Sequence, residues 1–203
     1  MHNFFSVFGL AIYGIALSAV PTTGGLSLAV HDIDLSSDGT SSVYATDVDG
    51  DGDIDVVSCA IYDDDTVAWY ENDGSEVFTK HVINSTADGC YSVYATDMDG
   101  DGDIDVFSAS FDGDTVAWYE NDGSEVFTKH VITATADGAH SVYAMDVDGD
   151  GDVDVLSASY DDDTVAWYEN DGSEVFTKHV ITATADGACS VYAADLDGDG
   201  DTD

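Results

Sequence analysis

From residue 28 onward, apolar and polar positions fall into short runs that recur. The stretch from Ser92 shows the unit. Ser92–Thr96 (SVYAT) is β-branched and aromatic, and a Gly/Asp loop separates it from Asp105–Phe111 (DVFSASF). Asp112-Gly113-Asp114 leads into Thr115–Glu120 (TVAWYE), and Asn121-Asp122-Gly123 leads into Val126–Ile132 (VFTKHVI). Asn/Asp-Gly supplies the positive-φ positions that tight hairpins need, so the unit predicts four short strands. No segment has helical periodicity. The strands are apolar on both sides: in Ile54–Ile61, one side carries Ile54, Val56 and Ala60, and the other Val57, Cys59 and Ile61. A sheet with one wet face alternates more cleanly, so each sheet must be covered on both faces.

The unit repeats. SVYATD at Ser42 recurs at Ser92, SVYAMD follows at Ser141 and SVYAAD at Ser190, with spacings of 50, 49 and 49 residues. Residues 98–146 and 147–195 match at 42 of 49 positions. Leu28–His31 forms a fainter copy in register with Phe78–His81. The pattern predicts an all-β fold, a β-propeller of four-stranded blades, with about three and a half blades in residues 28–203. A sandwich would place near-identical copies in non-equivalent positions. Before the array, Phe4–Val20 is an uncharged apolar run, with Ala16-x-Ser18 or Leu17-x-Ala19 as a small-residue cleavage site. Residues 1–20 therefore read as a signal peptide or N-terminal anchor, 21–27 as a short linker, and the chain as secreted or cell-surface. The sequon Asn84-Ser85-Thr86 fits a secreted loop.

Charge narrows the partners. The chain has 43 Asp+Glu against 3 Lys+Arg, a formal net charge of −40. Nucleic acid and anionic membrane surfaces are excluded as favourable partners, because phosphate binding needs Lys and Arg. With 44% apolar and 11% aromatic residues, the chain has enough to build a core and is no disordered acidic tail. Divalent cations are the obvious counter-charge.

The acid is concentrated in one recurring loop. Asp47, Asp49, Asp51, Asp53 and Asp55 form D-x-D-x-D-G-x-x-D between two strands. The same pattern places Asp97, Asp99, Asp101, Asp103 and Asp105 in the second loop. Asp146, Asp148, Asp150, Asp152 and Asp154 form the third, and Asp195, Asp197, Asp199, Asp201 and Asp203 the fourth. Positions one, three and five offer carboxylates, Gly at position six permits a sharp turn, position seven can offer its carbonyl, and Asp at position nine closes the shell. Hard oxygen donors in a flexible turn select Ca²⁺, at about four sites, with Mg²⁺ second because it demands stricter geometry. A solvated acidic turn is the alternative. An EF-hand needs Glu at position twelve and flanking helices, but here position twelve is Ser58, Ser108 or Ser157, and strands flank the loop.

With these loops and the DVLSAS and VAWYEND strands that follow, residues 28–203 resemble the FG-GAP/VCBS repeat family, related to integrin α-subunit propellers. The resemblance implies a Ca²⁺-stabilised propeller, usually seven-bladed, in secreted or surface proteins used for adhesion or for carbohydrate and ligand binding. It implies as ligands the Asp side chains at positions one, three, five and nine and the position-seven carbonyl. The departure is length, since three and a half blades do not close such a ring.

Other residues have structural and functional readings. His81, His130 and His179 recur beside Lys80, Lys129 and Lys178, which favours packing or pairing over a unique catalytic site. Trp69, Trp118 and Trp167 read as inter-blade packing or as a repeated platform for sugars, and Tyr70, Tyr119 and Tyr168 point to the opposite face. His140 occupies a variable position, in register with Tyr91 and Cys189. Cys59, Cys90 and Cys189 make no disulfide framework. Cys59 and Cys90 either pair in an oxidising compartment or serve as small buried residues. There is no phosphate loop, nucleophile elbow or Cys-x-x-Cys, so no enzyme is expected. Three readings follow: a Ca²⁺-dependent extracellular module that binds a protein or glycan ligand, an accessory region of a larger secreted enzyme, and a structural array that self-associates through open blade edges.

Overall fold

A computed structural model of the chain describes residues 15–22, 25–62, 65–199 and 202. Three four-stranded antiparallel sheets follow one another along the chain. Blade one comprises β3 (Thr40–Thr46), β4 (Asp55–Ala60), β5 (Val67–Asn72) and β6 (Phe78–Asn84). Blade two comprises β7 (Cys90–Thr96), β8 (Asp105–Ser110), β9 (Thr115–Asn121) and β10 (Phe127–Thr133). Blade three comprises β11 (Ala139–Met145), β12 (Asp154–Ser159), β13 (Thr164–Asn170) and β14 (Phe176–Thr182). Within each, strands pair in sequence order. A two-stranded hairpin, β1 (Ile15–Thr22) and β2 (Gly25–Asp32), precedes them. Residues 1–14 of the segment read as an export signal lie outside the described residues.

The doubly apolar strands are explained by the packing. Blade two buries one face against blade one and the other against blade three, as in a propeller, and the three blades do not close a ring. Between blades one and two, Val57, Cys59, Val67 and Trp69 meet Cys90, Val93, Val106 and Tyr119. Between blades two and three, Phe107, Ala109, Val116 and Trp118 meet Ala139, Val142, Val155 and Tyr168. The Trp face of one blade thus packs on the Tyr face of the next. Trp69 and Trp118 are both 1% exposed, which assigns them to the seams and rules them out as an open sugar platform.

Polar groups fix the seams as well. Ser42 Oγ accepts the Val93 N–H at 3.2 Å, Ser92 Oγ accepts that of Val142 at 3.3 Å, and Ser141 Oγ that of Val191 at 3.3 Å. Asp65, Asp114 and Asp163 accept the N–H of Gly89, Gly138 and Gly187 at 3.0–3.1 Å, latching each crossover to the preceding blade. Tyr44, Tyr94, Tyr143 and Tyr192, from the first strands and their successor, form a ladder of tilted rings with centroids 4.8 Å apart at each step. Cys59 and Cys90 are free, buried thiols across the first seam, with Cys59 Sγ 3.2 Å from the Cys90 carbonyl oxygen. The pairing considered from sequence is not made. Asn84 sits at the end of β6 rather than in a loop, and its Nδ2 donates to Tyr119 Oη at 2.9 Å. That nitrogen is the atom a glycan would occupy.

Candidate metal centres

The acidic loops join the first and second strands of each blade, so all lie at the same end of the array. Gly50 and Gly52 have φ of 75° and 99°, a backbone that residues with a Cβ rarely adopt, and nothing lies within 4 Å of where their Cβ atoms would be. The turn they allow brings the loop N–H groups onto the first carboxylate. Gly50 N–H donates to Asp47 Oδ1 at 2.8 Å and Gly52 N–H to Oδ2 at 3.0 Å. Asp49 accepts from Asp51 N–H, and Asp51 from Asp53 N–H. The second and third loops repeat these bonds at the same positions.

Position nine plays a second part that the motif alone does not reveal. Asp55, Asp105 and Asp154 are buried, at 0%, 1% and 0% exposure. Asp105 Oδ2 accepts the Met98 N–H at 2.9 Å and Oδ1 accepts the Asn121 N–H at 2.7 Å. The carboxylate therefore clamps the start of the loop to the end of the third strand. Asn121 Nδ2 in turn donates to the Ile104 carbonyl. Asp55 and Asp154 make the equivalent pair of bonds. Desolvation pushes the Asp105 carboxyl up to about 7, against the two N–H donors that lower it, with the Asp99 and Asp101 charges adding to the rise.

Four groups of carboxylates have ligand oxygens within 4.8 Å of one another: Asp47, Asp49 and Asp55; Asp97, Asp99 and Asp101; Asp146, Asp148 and Asp154; and Asp195, Asp197 and Asp199. Positions one and three belong to all four groups, and positions five and nine to two each. Position seven belongs to none. The side chains of Asp53, Asp103 and Asp152 instead lie against Gly74, Gly123 and Gly172 in the hairpin between the third and fourth strands, where a Cβ would stand 2.4–2.5 Å from Oδ2. Asp201 and Asp203 lie outside the described residues. The donor set fits a hard divalent cation. Desolvation first, then the neighbouring Asp97, Asp101 and Glu120 charges, raises the Asp99 carboxyl against the Asp101 N–H, and Asp49 is raised in the same way by its own neighbours. Such like-charge crowding is what a bound cation relieves.

The model of the FG-GAP-like repeat matches three overlapping stretches, residues 47–108, 97–157 and 146–203. The chain belongs to the FG-GAP-like repeat family. Each matched stretch begins at the first Asp of one acidic loop and, for the first two, runs through the loop of the next blade. Among solved structures, the chain is similar to the V. cholerae biofilm matrix protein Bap1, at 19% identity with a TM-score of 0.50. The match covers 84% of this chain and 25% of Bap1, so the FG-GAP-like chain spans about a quarter of that protein. The likeness supports the fold. No curated protein matches the chain.

The recurring histidines are also placed by this repeat. His81, His130 and His179 stack on Trp69, Trp118 and Trp167 with centroids 4.6–4.7 Å apart. Their Nε2 atoms lie 2.9, 2.7 and 2.6 Å from Oε2 of Glu71, Glu120 and Glu169. The same packing and pairing in every blade is a structural role. Lys80 pairs with Asp34 at 3.3 Å, outside the acidic loops.

Proposed function

We propose that this chain is a calcium-binding extracellular β-propeller repeat module that binds a protein or glycan ligand in adhesion and carries out no catalysis of its own. One observation carries the reading: four consecutive loops at one end of the array each gather three carboxylate oxygens within 4.8 Å. Oxygen-only donors in a flexible turn favour Ca²⁺ over transition metals, and over Mg²⁺, which needs near-octahedral geometry. The likeness to a biofilm matrix protein supports placement outside the cell. Because the chain spans a quarter of that protein, a repeat region within a larger secreted protein is the second reading.

A circular-dichroism thermal melt of the full chain, in millimolar Ca²⁺ and in excess EGTA, tests the metal reading. A site held at about a hundred times its dissociation constant adds roughly 2.7 kcal/mol, so several sites should lower the midpoint sharply when Ca²⁺ is removed. An identical melt in both conditions would sink the reading and leave the loops as solvated turns.

A further inference from the structure

The end of the blades opposite the acidic loops carries a different cluster, at the junction of blades two and three. Antiparallel pairing places the turns after the second strands and the crossovers between blades there. Four rings meet at this rim. Tyr91 lies 5.1 Å from Phe111 and 4.7 Å from His140, and Tyr160 lies 6.2 Å from both Phe111 and His140. Tyr91 and His140 are the extra residues of two β-bulges. Cys90 pairs with Ser110 and Ser92 with Ala109, while Ala139 pairs with Ser159 and Ser141 with Ala158. A bulge re-aims a side chain out of the ladder. His140 Nδ1 is buried and has no hydrogen-bond partner. Residues 98–146 and 147–195 differ at seven positions, and three of these differences fall at this end: Phe111/Tyr160, Gly113/Asp162 and His140/Cys189.

Carboxylates neighbour the rings along the chain: Asp112 follows Phe111 and Asp161 follows Tyr160. Asp112 Oδ2 stands 2.4 Å from where a Cβ on Gly89 would lie, and Asp161 Oδ2 stands 3.0 Å from the same point on Gly138. Asp137 feels desolvation and then the charges of Asp114, Asp161 and Asp162, which together raise its carboxyl. The three basic residues, Lys80, Lys129 and Lys178, all lie on fourth strands, so no Lys or Arg belongs to the cluster. The fold itself shows how a ring and a carboxylate hold an ammonium group. Lys80 Nζ lies 5.8 Å from the Tyr70 centroid and 3.3 Å from Asp34 Oδ2. The rim has rings and neighbouring carboxylates of the same kinds, and its Tyr160 is 48% exposed.

We propose that this aromatic and acidic rim binds lysine side chains from an extended basic segment of a partner protein. Side chains on one face of an extended chain recur every ~6.6 Å, close to the 6.2 Å between the Phe111 and Tyr160 rings, so alternate lysines reach successive blades. Cation–π contact adds to the charge attraction and makes the rim more than a diffuse acidic surface. The proposal rests on the reading of the chain as a protein-binding module, but not on the metal loops, which occupy the other end.

The test is titration calorimetry of the full chain with acetyl-Lys-Ser-Lys-Ser-Lys-amide, in millimolar Ca²⁺ and physiological salt, so that the loops are filled. Tyr160→Leu and Asp161→Asn should each weaken binding by about fivefold, the scale of one cation–π or screened ionic contact. Tyr160→Phe, which keeps the ring face, should retain the affinity. Glu125→Gln removes one charge at the opposite end and should have no effect. Thermal melts of the variants separate lost binding from lost fold. Equal losses in Glu125→Gln and Asp161→Asn, with none in Tyr160→Leu, would reduce the rim to non-specific charge. No binding of the peptide would overturn the proposal outright, as would spermidine binding as tightly as the peptide. A chain that melts lower in EGTA yet ignores the peptide loses this proposal alone and keeps the calcium reading.

Discussion

At the scale of single residues, the acidic loop holds two kinds of carboxylate. Asp99 is crowded by like charge and Asp105 is buried between backbone donors. Replacing Asp99 with Asn should therefore change sign with the metal. With the proposed Ca²⁺ in place, it should remove a ligand and weaken that site by roughly tenfold or more, read by calorimetry. In EGTA it relieves repulsion and should raise the melting midpoint. Asp105 sets a pH dependence. Its folded-state value of about 7 lies above the ordinary 3.8, so between those values the folded chain binds the extra proton. Stability of the metal-free protein should then fall as pH rises from about 4 to 7, by linkage. Melts in EGTA across this range check the sign, and a midpoint that rises with pH would contradict it. The acidic loops were legible in sequence because alternate Asp and a turn Gly are a local pattern. The clamp was not, because Asp105 meets Asn121 through tertiary structure, and neither was the position-seven brace against Gly123.

At the scale of elements, strand number, order and period followed from apolar runs between turn signals, since each strand is covered on both faces. The seams did not follow. Nothing in SVYAT says that Ser92 accepts the Val142 N–H, and the bulges at Tyr91 and His140 leave no periodic trace. What the sequence does show is equal spacing of Trp69, Trp118 and Trp167, and the seams explain it. Trp118→Ala opens a cavity in a fully buried position and should cost about 3–5 kcal/mol in a chemical-denaturation experiment. Trp167 is only partly buried, so Trp167→Ala should cost distinctly less. Equal losses would mean that the Trp side chains do not take their energy from the seam.

At the scale of the whole molecule, a net charge of −40 on 203 residues acts against compaction. Monovalent salt screens that repulsion, over a Debye length that shrinks from about 30 Å at 0.01 M to about 8 Å at 0.15 M. In EGTA, added NaCl should raise the melting midpoint, and in Ca²⁺ the gain should be smaller if the proposed sites fill and neutralise the loops in part. A salt response unaffected by Ca²⁺ would place the repulsion elsewhere on the surface.

The seam repeats its contacts, and this bears on assembly during folding. Ser to Val N–H, Asp to Gly N–H and Trp face to Tyr face recur at successive junctions. A blade emerging from the unfolded chain therefore meets equally welcoming surfaces on its own neighbour and on a blade of another molecule, the circumstance in which repeat proteins exchange segments. The first junction carries marks that the second lacks: Cys59 against Cys90 where the next has Ala109 against Ala139, and Asn84 bonded to Tyr119. Those few atoms are what distinguishes the junction of blades one and two in a chain whose seams are otherwise nearly interchangeable.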